Sequence, residues 1–195
     1  MELAGKRLGF AVTGSFCTYS QIMPVVKELV DEGSRVVPIL SYNAAAYDTR
    51  FIKAAEFKSF LEETTKNRIL ESIVEVEPIG PKKLLDLLII APCTGNSLAK
   101  LALGLSDTPV LLAAKSQLRN ARPVLIAVST NDALSANAKN MGLLLNTRNV
   151  YFVPYRQDNN ADKCTSIVAE MGMIPMAAKL ALESKQMQPV MLDPR

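Results

Sequence analysis

The hydrophobic positions of this chain follow two alternating rhythms, and the switches between them mark its elements. Five short apolar runs stand out: Arg7-Leu8-Gly9-Phe10-Ala11-Val12-Thr13, Arg35-Val36-Val37-Pro38-Ile39-Leu40, Leu84 to Ala91, Pro123-Val124-Leu125-Ile126-Ala127-Val128 and Val150-Tyr151-Phe152-Val153. Each is bounded by polar or turn residues and is too short for a helix, so each predicts a buried strand. Between them apolar residues recur every three to four positions. That spacing predicts helices from just after Ser15 to about Glu32, from Phe51 to about Lys66, from Ser97 to Leu105, after Asp107 or Thr108, from Ser135 to about Asn146, and from Lys163 to Lys185. Gly33 stops the first helix, and Pro109 sits in the first turn of the fourth, where a helix start tolerates it. Ser41-Tyr42-Asn43 reads as a polar strand end and Glu77-Pro78-Ile79-Gly80-Pro81 as a loop.

Apolar strands that alternate with helices need cover on both faces. The expectation is an α/β fold, a three-layer, Rossmann-like parallel sheet with helices on both faces, in one domain over residues 1–195. No repeat or linker interrupts it.

In such a sheet the carboxyl ends of the strands share one edge, and ligands bind there. Three polar clusters therefore converge: Thr13-Gly14-Ser15, Pro92-Cys93-Thr94-Gly95-Asn96-Ser97, and Ser129-Thr130-Asn131-Asp132. A glycine admits close approach of a ligand to the backbone, and the helix that follows offers unpaired N–H groups and a positive dipole end. An anion or hydrogen-bond acceptor is the natural guest. The same residues also serve as ordinary turn and cap formers, so a capped strand–helix turn is the competing explanation for each cluster. Ser41 and Asn43 extend the polar edge, with turn formation as the alternative. Neither the G-x-G-x-x-G fingerprint nor a P-loop is present.

Composition narrows the chemistry. Histidine is absent, which removes the usual general base, the usual metal ligand and any Ser–His or Cys–His pair. Cys17, Cys93 and Cys164 have no metal-site spacing, so no metal site is expected, and a reduced cytoplasmic protein is the simple expectation. With 22 basic and 19 acidic residues, no Trp and no basic stripe interleaved with aromatics, nothing points to nucleic acid. No apolar run is long enough for a transmembrane helix, and Met1-Glu2-Leu3-Ala4-Gly5-Lys6-Arg7 lacks a signal-peptide core, so no membrane partner is expected. Of the arginines near loop ends, Arg50 follows the second strand's polar end and is the first candidate for a carboxylate, against a default of surface solvation.

Several segments carry a family resemblance: Lys6-Arg7-Leu8-Gly9-Phe10, Thr13-Gly14-Ser15, Cys17-Thr18-Tyr19, Asn43, Thr49-Arg50-Phe51, Ala91 to Ser97, Arg119-Asn120-Ala121-Arg122-Pro123 and Ser129 to Leu134. The chain resembles the flavoprotein family of flavin-containing cysteine decarboxylases. More narrowly, it is similar to the second subunits of two-component synthases that make pyridine-2,6-dicarboxylate in spore-forming bacteria. In the family a Gly-Ser loop holds the phosphate of flavin mononucleotide (FMN), which maps onto Gly14 and Ser15. The family's Pro-Ala-Ser-Ala-Asn-Thr motif maps onto Pro92 to Ser97: Pro92 and Asn96 agree, Thr94 and Ser97 keep a hydroxyl, and Cys93 and Gly95 differ. Its Pro-Ala-Met-Asn motif maps onto Val128 to Asn131, where Asn131 alone agrees. The decarboxylases' active-site histidine has no counterpart.

The resemblance implies FMN held by Thr13, Gly14, Ser15, Ser41, Pro92, Thr94, Asn96 and Ser97, with Asn131 and Arg50 orienting substrate carboxylates. It implies a small dicarboxylate substrate, a nicotinamide-dehydrogenase-like partner subunit carrying NAD(P), and a trimer-based homo-oligomer in the cytoplasm of a sporulating mother cell. No catalytic base stands out. A stand-alone FMN-dependent decarboxylase of a cysteinyl substrate and a non-catalytic phosphate-binding scaffold stay open as alternatives.

Overall fold

The computed structural model describes residues 2–193. Five parallel strands form its centre: β1 (Arg7–Val12), β2 (Arg35–Leu40), β3 (Leu87–Cys93), β4 (Val124–Thr130) and β5 (Val150–Phe152), in the order β2-β1-β3-β4-β5. Every residue of β3 is buried, as a central parallel strand requires. The helices are α1 (Tyr19–Asp31), α2 (Tyr42–Ala46), α3 (Ala54–Thr65), α4 (Ile73–Val76), α5 (Gly95–Ala102), α6 (Pro109–Arg119), α7 (Ala138–Leu145) and α8 (Ile174–Leu182). α1 packs with α3 and α8, and α6 with α4 and α5, so the sheet is covered on both sides. The stripe Ile22, Val25, Val26 and Leu29 seats α1 on the sheet, and Gly33, with φ of 83°, lets the chain leave the helix for β2. α6 starts as its sequence suggests, with Thr108 accepting from the Leu111 N–H at 3.3 Å and Pro109 in the first turn.

One element departs from expectation. Lys163 to Lys185 is not one helix: Lys163–Ala169 is a strand, β7, paired antiparallel with β6 (Tyr155–Asn159), and the helix begins only at Ile174. Thr165, Ile167 and Val168 are β-branched and favour extended backbone. The connecting turn is closed by Asn159, whose Oδ1 accepts from the N–H groups of Ala161 and Asp162 at 3.0 Å each. The sheet is therefore mixed. β5 pairs with the first half of β4, and β7 takes over at its end, where Ser129 pairs with Val168 and Thr130 with Ile167.

Smaller differences follow the same logic. β3 runs on to Cys93 and β4 to Thr130, past the ends at Ala91 and Val128 that hydrophobicity suggests. Ser41 caps α2, accepting from the Ala44 N–H at 3.3 Å, so Ser41 to Asn43 begins a helical turn. Glu77–Ile79 is a short 3₁₀ turn after α4, where a loop is expected. The helix expected from Ser135 starts at Ala138, because the Asp132 carbonyl accepts from the Ser135 and Asn137 N–H groups and holds that stretch as a turn.

Candidate functional site

β1 lies between β2 and β3, so the chain leaving β1 crosses to one side while β3 occupies the other. The carboxyl ends of β1 and β3 then flank a topological switch point, the place where open α/β sheets bind ligands. A hollow of about 690 Å³ opens there. Gly14 and Ser15 line it from the end of β1, Thr94, Gly95 and Asn96 from the end of β3, and Ser129 to Asp132 from the end of β4. Its size falls within the roughly 300–1,000 Å³ of small-molecule sites.

Direct bonds hold the three strand ends together. The buried Thr13 hydroxyl donates to the Pro92 carbonyl at 2.7 Å and accepts from the Thr94 N–H at 3.0 Å, which latches β1 to β3. Ser15 and Ser129 share a hydrogen bond between hydroxyls at 2.8 Å, which joins the β1 end to the β4 end across the hollow. Gly95 supplies the closest approach. A Cβ there would lie 2.5 Å from Asp132 Oδ1, 2.6 Å from Thr130 Oγ1 and 2.7 Å from Asn137 Nδ2. Those groups bond one another, since Asp132 accepts from Thr130 at 2.6 Å and from Asn137 at 2.8 Å. Glycine is thus required where the β4 loop sits against the start of α5.

The residues singled out in the sequence divide into groups. Gly14, Ser15, Thr94, Asn96 and Asn131 line the single hollow. Thr94 also works as the N-cap of α5: its hydroxyl accepts from the Ser97 N–H at 3.3 Å and donates to the Ser97 hydroxyl at 3.0 Å. Asn96 and Asn131 make no side-chain hydrogen bond among the described residues, so their amides are open to a ligand. Thr13, Pro92 and Ser97 stand behind the lining as its support. Ser41 and Arg50 lie outside it. Ser41 caps α2, and the Arg50 guanidinium rests 4.8 Å from the Phe51 ring centre, beside a smaller crevice lined by Phe16, Tyr19, Met23 and Ile52.

Other lining residues were not legible as site residues. Cys17, Thr18 and Gln21 come from the turn before α1 and from its first turns. Asp158, Lys163, Ser166, Ile167 and Val168 come from the β6–β7 hairpin. The Asp158-Asn159-Asn160-Ala161-Asp162 cluster is a turn signal, but the residues after it alternate too weakly to declare the second strand of a hairpin from sequence. The Thr165 hydroxyl donates to the Asn131 carbonyl at 2.6 Å, so the hairpin also braces the third polar cluster.

The titratable groups of the hollow are few. Lys163 pairs with Asp158 at 2.7 Å, and that carboxylate raises the lysine's pKa. Cys17 is exposed at the rim. Cys93, although inside the second cluster, is wholly buried, and burial pushes its thiol up to about 12. It packs rather than reacts. Tyr19 behaves alike: burial raises its pKa, and its neutral hydroxyl donates to the Thr13 carbonyl at 3.0 Å.

Known proteins resemble this chain in sequence and fold. The chain is 45% identical over 192 residues to the second (B) subunit of dipicolinate synthase from Bacillus subtilis (strain 168), covering 98% of this chain and 96% of that protein. The crystal structure of the same dipicolinate synthase component from Bacillus halodurans C superposes with a TM-score of 0.92 at 42% identity over 100% of both chains. A PPC decarboxylase mutant complexed with pantothenoylaminoethenethiol superposes at 0.67 with 17% identity, over 92% of this chain and 99% of that one, which shows a shared fold. Among the described residues no helix is long and apolar enough to cross a membrane. A family model described as Flavoprotein matches residues 1–181, and the chain belongs to that family.

Proposed function

We propose that this chain acts as the second (B) subunit of dipicolinate synthase. It would work with the first (A) subunit to convert dihydrodipicolinate to pyridine-2,6-dicarboxylate (dipicolinic acid) during sporulation. The observation that carries this is the single hollow at the switch point, in a chain similar to that synthase component along almost its whole length. The reaction removes two hydrogens from a dihydropyridine ring, as a hydride and a proton, so a two-electron acceptor is required. FMN supplies that chemistry when bound, and NAD(P) on the first subunit is the second carrier of the proposed complex.

The residues present suit FMN. The 3₁₀ turn Phe16–Thr18 lacks a side-chain cap because the Ser15 hydroxyl bonds Ser129 instead, and α1 lacks one because the Thr18 hydroxyl donates to the Ser15 carbonyl at 2.8 Å. The Thr18 N–H already donates to the Ser15 carbonyl, which leaves the N–H groups of Phe16 and Cys17, with Gly14 beside them, to receive a phosphate. The Asn96 and Asn131 amides and the Thr94 hydroxyl would bond the polar edge of the ring system, and Ile167 and Val168 offer an apolar wall. Thr13, Pro92 and Ser97 hold that lining in shape. Ser41 and Arg50 lie outside the lining and would reach a ligand only beyond the hollow, and a trimer-based homo-oligomer is the proposed assembly. The proposed setting is the mother-cell cytoplasm.

A flavin decarboxylase of a cysteinyl substrate is the less favoured reading, since the chain has no histidine to serve it. The experiment is a titration of the purified chain with FMN, followed by flavin fluorescence, for the wild type and Asn96→Ala. Loss of one hydrogen bond, about 1 kcal/mol, is expected to weaken binding about fivefold. Absence of FMN binding by the wild type would leave the scaffold role. Turnover by the first subunit alone at the rate of the pair would remove this chain from the reaction.

A further inference from the structure

The dicarboxylate ring assigned to this site under the proposed function carries two negative groups, and the hollow offers little to receive them. Among its described lining residues Lys163 is the one cation, beside the carboxylates of Asp132 and Asp158. Arg50 is elsewhere, against Phe51. Lys163 stands at the first position of β7, at the tip of the hairpin that closes one side of the hollow. The root of that hairpin is fixed. Thr130 pairs with Ile167, the Ser166 hydroxyl donates to the Thr130 carbonyl at 3.3 Å, and the Leu134 N–H donates to the Thr165 carbonyl at 3.0 Å. The tip is open: the Lys163 and Asp158 side chains are 58% and 39% exposed while they pair with each other.

We infer that Lys163 anchors one carboxylate of the pyridine dicarboxylate, and that Asp158 is the place-holder it leaves when the ligand enters. An exposed ion pair contributes little stability, so exchanging one carboxylate for another is inexpensive. The ion pair at 2.7 Å also favours the charged ammonium before binding.

The inference rests on the proposed function, and the experiment separates the two. The complex of this chain with the first subunit and FMN is titrated by calorimetry with pyridine-2,6-dicarboxylate and, separately, with pyridine-2-carboxylate. The proteins are the wild type, Lys163→Met and Asp158→Asn, both at exposed positions. The wild type should prefer the dicarboxylate. Lys163→Met should weaken dicarboxylate binding about tenfold or more, the usual effect of losing a charged hydrogen bond, and leave the monocarboxylate within about threefold. The preference then collapses, which a merely structural lysine would not cause. Asp158→Asn should tighten the dicarboxylate a few-fold. An unchanged preference in Lys163→Met overturns the anchor while the proposed function stands, and weaker binding in Asp158→Asn overturns the place-holder. A wild-type complex that binds neither acid overturns the proposed function and the anchor together.

Discussion

Gly95→Ala tests the architecture of the site at its tightest point. In the interior of a helix the change ordinarily stabilises by roughly 1 kcal/mol, because alanine has the higher propensity. At Gly95, however, the new methyl would sit 2.5 to 2.7 Å from three polar atoms of Asp132, Thr130 and Asn137, where ordinary contact begins near 3.4 Å. None can swing away alone. Asp132 accepts hydrogen bonds from both of the others, and Asn137 accepts one from Asn140 at 2.8 Å. The β4 loop must therefore retreat as a unit by most of an ångström, or α5 must shift. Overpacking of this kind costs roughly 1–3 kcal/mol, and loosening two hydrogen bonds adds about 1 kcal/mol each. Even against the full interior propensity gain, which the first position of α5 does not reach, the expected net loss is about 2–4 kcal/mol, a fall in Tm of roughly 4–16 °C for a chain of this length. Gly142→Ala is the paired control. It lies inside α7 with nothing within 4 Å of the added carbon, so it should stabilise by about 0.5–1 kcal/mol. Urea and thermal unfolding of both variants read the two signs directly. If Gly95→Ala is as stable as the wild type, the strand ends are not packed as described.

Two further outcomes follow from the charges and thiols. At Asp86 burial opposes the charged form, but the Arg7 N–H at 2.8 Å and the Arg7 and Arg122 guanidinium groups at 3.3 Å outweigh it and hold its pKa below the usual carboxylate range. A depressed carboxylate contributes stability above its unfolded pKa of about 3.9 and loses it as pH falls through the lower folded value. Asp86→Asn should therefore cost about 1–2 kcal/mol near neutral pH, with the gap to the wild type narrowing below about pH 4. A gap that stays constant across urea melts from pH 7 to pH 3 would refute this. Thiol titration of the native protein should label exposed Cys17 and Cys164 and spare Cys93 until denaturant is added, with FMN slowing Cys17, which lines the hollow. Equal labelling of all three native thiols would contradict the buried Cys93.

Much of the site was legible because it sits where hydrophobic runs stop. The apolar stretches ending near Val12, Ala91 and Val128 can only be buried strands, and parallel strands bring Gly14, Ser15, Asn96 and Asn131 to one edge. Dual-purpose residues were harder to assign. Thr94 has the composition of both a cap and a ligand and does serve as a cap, and Thr13 turned out to be a buried latch. Ser41 and Arg50 lie close to the second strand's end in sequence, yet the Ser41 hydroxyl is taken up in capping α2 and Arg50 rests against Phe51, so neither lines the hollow.

Periodicity and the placement of Gly, Pro and small polar residues determined the α/β class, the parallel centre and the carboxyl-edge position of the site. Those are local rules, enforced by backbone geometry and the burial of apolar faces. The β6–β7 hairpin was decided only in three dimensions. Its residues from Lys163 to Ala169 alternate too weakly to declare a strand, and they become one by pairing with β6 and with the exposed end of β4, where β5 stops short. That pairing carries Lys163 and Asp158 to the hollow, a placement between residues far apart in the chain that no local pattern encodes.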